Sequence, residues 1–218
     1  MSRCIASLKS FYSLLLTEGV VDHNPAAGLV PEKAVQKLPQ ILTSKEVELL
    51  LEQPECVDMK GYRDRAMLEL LYATGIRVSE LQHITMEAAR RGEALVSCKG
   101  KTRSVFLVKE LRQKLLKYAA KKGIKEGTIF ITRLGKPLNR TNIWREMKAL
   151  CTRANVSPKK VFPHNLRHLF ARLFYEIEKD LAKLADILGH SSINTTRIYI
   201  ISTGAEHRRR MENLHLII

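Results

Sequence analysis

The chain has 218 residues, 45% of them hydrophobic, with 37 Lys and Arg against 22 Asp and Glu and a formal net charge of +15. That length holds one full domain, or one domain plus a fragment of another, and the apolar share supports a core and argues against disorder. The charge favours a polyanionic partner, nucleic acid being the commonest, with a merely basic surface as the plainer alternative.

Residues 5–18 place apolar side chains at helical spacing and end at Gly19, a C-cap. The stretch VVDHNPAAGLVPEKAVQKLP carries three prolines and reads as an extended linker. One helix cannot bury its own face, so residues 1–30 read as the tail of another domain, with 31–42 as linker. The main domain opens at Thr43, where TSKE predicts a capping box with Glu46, a helix through VELLL and a stop at Pro54. A second helix spans 61–73 and ends at Gly75, and another starts near Arg77. Residues 94–108 predict two strands around a basic turn, followed by a helix at 110–121 and a third short strand, TIFI, at 128–131. From Thr141 onward the pattern is helical, with breaks at Pro158, Pro163 and Gly189. The sum is mainly α with a small antiparallel β-sheet, an α+β domain.

No apolar run approaches the roughly 18 residues that span a bilayer, and FYSLLL at 11–16 is too short for a signal peptide. Cys4, Cys56, Cys98 and Cys151 form no CxxC pair and read as reduced thiols of a cytoplasmic protein. No metal-ligand cluster is visible, and no cofactor is expected.

Three stretches stand out: ATGIRVSEL with Arg77, FPHNLRHLFARLF with His164 and Arg167, and LGHSSINTTRIYI with His190 and Tyr199. His164 and Arg167 are three apart on one helix face, so both can reach one ligand. Gly189 ends a helix and Ser191 or Ser192 caps the next, which leaves His190 on a turn. Taken singly, such residues are solvated charges or core rings. Together they fit a phosphodiester, whose transition state gains negative charge. Guanidinium forks suit its non-bridging oxygens better than an ammonium does. A tyrosine hydroxyl, with an ordinary pKa of about 10, attacks at neutral pH only beside a base or in electropositive surroundings. The departing 5′ oxygen requires a general acid.

From about Leu38 to Tyr199 the chain resembles the tyrosine recombinases of the phage-integrase and Xer type. ATGIRVSEL is similar to the segment bearing the first catalytic arginine, CKGKTR to the lysine-bearing hairpin, HNLRH to the H-x-x-R element, and LGHSSINTTRIY to the last histidine and nucleophile. The resemblance implies the recombinase catalytic-domain fold over 43–204. It implies that Arg77 and Arg167 clamp the phosphate and that His164 and His190 assist proton transfer. Lys99 is then the general acid, with Lys101 on the same turn as its alternative. Tyr199 attacks to give a 3′-phosphotyrosyl intermediate. Residues 1–30 resemble only the last helix of the family's N-terminal core-binding domain.

The partners implied are a double-stranded DNA recombination site and either a tetramer of this chain on DNA or a related recombinase. The helix at 205–218, with Met211, Leu214 and Ile217 or Ile218 as its stripe, docks either on its own domain or in trans. Glu80 either orients Arg77 or forms a surface ion pair, and His168 is structural or supports the site. The competing readings are a catalytically silent DNA-binding or regulatory protein of the same fold, and a type IB topoisomerase-like enzyme. The segment EAARRGEA lacks the acidic and apolar residues expected before the hairpin.

Overall fold

The computed structural model describes residues 2–30, 41–55, 58–98 and 101–200. Two compact units divide the chain, Met1–Pro39 and Gln40–Ile218. In the first, helix α1 (Ser2–Thr17) leaves Leu8, Phe11 and Leu14 exposed and is followed by Gly19 at φ +71°. Asn24 folds back on it, donating to the Lys9 carbonyl at 3.2 Å and the Ser13 hydroxyl at 3.0 Å. Most of the predicted linker, 31–40, and the predicted C-terminal helix at 205–218 lie outside the described residues.

In the second unit the capping box forms as the sequence predicts. The Thr43 hydroxyl accepts from the Glu46 N–H at 3.2 Å, and the Glu46 carboxylate accepts from the Thr43 N–H at 2.8 Å, opening α2 (Ser44–Glu52). Such a cap contributes about 1 kcal/mol. Next comes α3 (Met59–Thr74), in which Ala66, Met67, Leu68, Leu70 and Leu71 are all buried. A helix covered on nearly every side is a central one, and α3 packs against both α5 (Lys109–Lys122) and α7 (Pro163–Glu178). Its buried carboxylates are paired: Asp64 with Lys60 and Arg63 at 2.8 and 2.7 Å, Glu69 with Arg65 and Lys114 at 3.2 and 2.8 Å.

After Gly75 the structure departs from expectation. The helix predicted near Arg77 is a 3-10 segment, Val78–His83, and a short helix that the sequence reading did not anticipate follows, α4 (Met86–Arg91). Caps define α4, since its six residues, with Met86, Ala88 and Ala89 buried, are too few for a long apolar stripe. The Thr85 hydroxyl accepts from the Ala88 N–H at 3.1 Å, and Gly92 closes the helix at φ +88°.

Strands β1 (Glu93–Cys98) and β2 (Lys101–Phe106) pair antiparallel from Glu93↔Phe106 to Cys98↔Lys101. The predicted third strand, 128–131, does not join them. Its pairing is split between isolated bridges, Thr85↔Thr128 and Ile131↔Pro137, one on each side. Ile129 and Phe130 are buried, so the apolar run serves the core without a neighbour long enough for a ladder.

Three further elements follow among the described residues: α6 (Arg140–Ala154), capped by Asn139, then α8 (Leu181–Leu188) and α9 (Ile193–Ile200) after α7. Ala171, Leu184, Leu188 and Tyr199 form a small cluster where α7, α8 and α9 meet. No helix of the described residues is long and apolar enough to cross a membrane.

Candidate active site

Arg77 leaves α3 two residues after the left-handed Gly75, and the buried Glu80 fixes it there. Glu80 Oε1 accepts from Arg77 Nη1 at 3.0 Å and Oε2 from the Arg77 backbone N–H at 2.9 Å. Arg77 Nη2 donates to the Gly189 carbonyl at 3.1 Å, tying the start of the 3-10 segment to the turn before α9. Glu80 is 1% exposed, so the surface ion-pair alternative does not hold.

Pro163 occupies the first position of α7, where no N–H is needed, so His164 and Arg167 sit one turn apart near its start. Arg167 is buried, and the ends of two other helices hold it. Its Nη1 donates to the Gly75 carbonyl and its Nη2 to the Leu188 carbonyl, both at 2.5 Å. The negative ends of α3 and α8 thus face the guanidinium. Burial chiefly, then Arg77, lowers the Arg167 pKa to about 10, while the Tyr199 hydroxyl beside it pulls the other way. Arg167 stays charged at neutral pH.

Gly189 ends α8 at φ +63°, as predicted, and the Ser192 hydroxyl accepts from the Asn194 N–H at 3.2 Å at the start of α9. His190 projects between them. Arg167 Nη2 lies 3.1 Å from His190 Nε2, and the Thr196 hydroxyl lies 2.8 Å from Nδ1. A guanidinium only donates, so Nε2 is the acceptor and Nδ1 carries the proton that Thr196 accepts. Burial, then Arg167 and Arg77, pushes the His190 pKa down to about 4, in keeping with a neutral ring. His164 is lowered by burial, Arg167 and Arg77.

Nearly two turns after Ile193, α9 delivers Tyr199 into this cluster. Its ring centroid is 5.2 Å from that of His190, 5.5 Å from His164 and 4.1 Å from His168, and the residue is 6% exposed. Arg77, His164 and Arg167 line one cleft of about 390 Å³ together with Arg140 and Trp144. Five of the six predicted site residues therefore converge. Lys99, the sixth, lies outside the described residues, and of Lys101 only its place at the start of β2 is described.

Three residues not assigned to the site by sequence reasoning belong to its surroundings. Arg103, on β2, reaches Glu80 Oε2 with Nη2 at 2.7 Å. The signal was a charged residue at an inward position, in step with the buried Val105 and Leu107. Thr196, fully buried, carried no local signal. His168, set aside as structural or supporting, stacks on Tyr199. Among the described residues no group of three or more His, Cys, Asp or Glu could hold a metal ion. Arg77 and Arg103 share the Glu80 carboxylate, and Arg167 adds a third guanidinium nearby, which leaves a local excess of positive charge that suits a phosphodiester.

Residues 40–206 match the phage integrase family. Tyrosine recombinase XerD of Halalkalibacterium halodurans is 35% identical over 224 residues, which cover 99% of this chain and 75% of that protein. The crystal structure of XerA recombinase superposes with a TM-score of 0.70 at 26% identity, over 98% of this chain and 75% of that one. XerH site-specific recombinase, bound to palindromic difH substrate in a post-cleavage complex, gives a TM-score of 0.71 at 25% identity, over 84% of this chain and 55% of that one. The chain belongs to the phage integrase family. Within it, the chain is an enzyme of the tyrosine site-specific recombinase class.

Proposed function

We propose that this recombinase breaks and rejoins DNA strands through a 3′-phosphotyrosyl intermediate, with Tyr199 as nucleophile. The observation that carries the reading is the convergence of Arg167, His164 and His190 on the Tyr199 ring. Arg77 and Arg167 bind the non-bridging oxygens of the scissile phosphate and neutralise the charge gained in the transition state. The Tyr199 oxygen bonds to phosphorus as the P–O5′ bond breaks. Its proton passes to a neutral imidazole, with His164 and His190 the groups at hand, and the departing O5′ takes a proton from Lys99. The reverse reaction, with a 5′ hydroxyl from another strand attacking the phosphotyrosine, restores the backbone and frees the tyrosine. The ester conserves the bond, so no external energy source enters the balance.

The partner is a double-stranded DNA recombination site, in keeping with the net charge of +15 and with the DNA-bound XerH structure. A tetramer of this chain, or an assembly with a related recombinase, brings two duplexes together, and the cytoplasm is the compartment of action.

The test uses nicked suicide duplexes with randomised arms, resolved on a denaturing gel. The wild-type chain should form a covalent adduct, from which the preferred duplex is sequenced. Tyr199→Phe should bind that duplex and form none. Absence of an adduct with the wild type, or its persistence with the variant, overturns the reading.

A further inference from the structure

Arg103 extends from β2 across the backbone of Gly189. A Cβ added at Gly189 would lie 2.4 Å from Arg103 Cδ and 2.8 Å from its Nε. The far end of the same side chain donates from Nη2 to Glu80 Oε2 at 2.7 Å, and only 11% of the side chain is exposed. Glu80 in turn holds Arg77, and Arg77 holds the Gly189 carbonyl. One closed circuit therefore runs from β2 through Arg103, Glu80 and Arg77 to the turn that carries His190, and back to Arg103 by packing. A cavity of about 330 Å³ opens beside it, lined by Arg77, Glu80, Arg103, Asp186 and His190. On the other side, β2 begins at Lys101, so the hairpin segment that holds both lysine candidates lies two to four residues from Arg103.

We infer that Arg103 is a positioning residue that couples the lysine-bearing hairpin to the phosphate clamp, and that Gly189 is glycine so that Arg103 can cross it. The inference rests on the reading of the hairpin lysine as general acid. Its physical basis is a matter of degrees of freedom. A two-stranded hairpin is marginal by itself, and the ion pair to a buried, doubly occupied carboxylate fixes where β2 lies relative to Arg77 and His190. A methyl group at Gly189 would displace Cδ and Nε of Arg103, the atoms that lead directly into the guanidinium on Glu80. Strand β2 and the clamp are thereby held in register by one side chain.

The experiment is a double-mutant cycle on single-turnover cleavage of the duplex captured by the wild-type chain, with either oxygen or sulfur at the bridging 5′ position. Arg103→Ala and Gly189→Ala should each slow cleavage of the oxygen substrate by about 10- to 100-fold, as expected for a group that orients active-site side chains. Combined, they should be little slower than the worse single variant, because the methyl group then has no stem to displace. The left-handed backbone cost at Gly189 is common to both backgrounds. A sulfur leaving group hardly needs a proton, so the Arg103→Ala deficit should shrink by about tenfold on that substrate. A purely structural role for Arg103 would not distinguish the two substrates.

Arg103→Val, suited to an inward strand position, repeats the cycle should the alanine variant unfold. Cleavage within about threefold of wild type, multiplying effects in the double variant, or equal deficits on oxygen and sulfur would each overturn the inference. Failure of the wild type to form an adduct would instead overturn the catalytic reading beneath it.

Discussion

The His168 ring lies against the phenol of Tyr199, centroids 4.1 Å apart and planes at 29°, and its buried Nδ1 makes no hydrogen bond among the described residues. Burial first, then His164 and Arg167, lowers its pKa to about 4, so the stacked ring is neutral. A charged ring would repel Arg167, whereas a neutral one can serve as a flat wall behind the nucleophile. Such aromatic pairs contribute about 0.5–1.5 kcal/mol beyond area burial.

His168→Phe should therefore keep single-turnover cleavage within about threefold, while His168→Ala should lose about tenfold by letting the phenol tilt. Equal rates for the two variants would show that the wall is dispensable. A phenylalanine as impaired as alanine would show that the ring nitrogens matter.

Three histidines with lowered pKa values set a pH dependence of stability. His168 and His190 are pushed to about 4 and His164 is lowered, all chiefly by burial and facing the charges of Arg167 or Arg77. In the unfolded chain each returns to about 6.5. Below that value the unfolded state takes up protons that the folded state refuses. Stability is thus full above about pH 6.5 and declines as pH falls toward 4. Melting temperatures taken from pH 7.5 to 5 should fall, with a shallower slope for His168→Phe. A flat or rising profile on acidification would contradict the assignment.

Glu80 accepts from two guanidiniums and a backbone N–H with its side chain 2% exposed. Its amide analogue cannot accept on the nitrogen side and withdraws the negative charge that Arg77 and Arg103 share. Glu80→Gln should lower the unfolding free energy by about 3–5 kcal/mol, the range for breaking a buried pair. Urea denaturation gives the number, with the slope unchanged. A loss below about 1 kcal/mol, the scale of exposed pairs, would mean the carboxylate charge is not needed there.

The hairpin lysines separate by leaving-group chemistry. Lys99→Ala should cleave oxygen-bridged DNA poorly and recover on the sulfur-bridged substrate, whose thiol leaves with a pKa near ~8.5 and scarcely needs an acid. Lys101→Ala should show little of either effect. Rescue at Lys101 would move the proton donor by two positions.

What was legible in the sequence was local. Thr43 with Glu46, His164 with Arg167, and the break at Gly189 are spacings within one or two turns, and each stands in the structure. The short helix Met86–Arg91 escaped because six residues, with only Met86, Ala88 and Ala89 apolar, are too few to show a helical period; Thr85 and Gly92 define it from outside. The run at 128–131 was read as a third strand; its Ile129 and Phe130 are buried, but ladder pairing depends on a neighbour far along the chain and only isolated bridges form. Arg103, Thr196 and His168 were missed as site residues for the same reason. Their partners lie on other elements: Glu80 for Arg103, His190 for Thr196, Tyr199 for His168.

Two helix ends grip Arg167 through the Gly75 and Leu188 carbonyls. A free arginine side chain loses about 2 kcal/mol of rotamer freedom when it is fixed. Here that ordering happens when the domain folds, before any DNA arrives, so substrate encounter meets a guanidinium already aimed. The corollary is thermal: fraying at the C-terminus of α3 or α8 would loosen Arg167 while the rest of the domain stayed folded. Heating should therefore erode cleavage at a lower temperature than the one at which the domain melts.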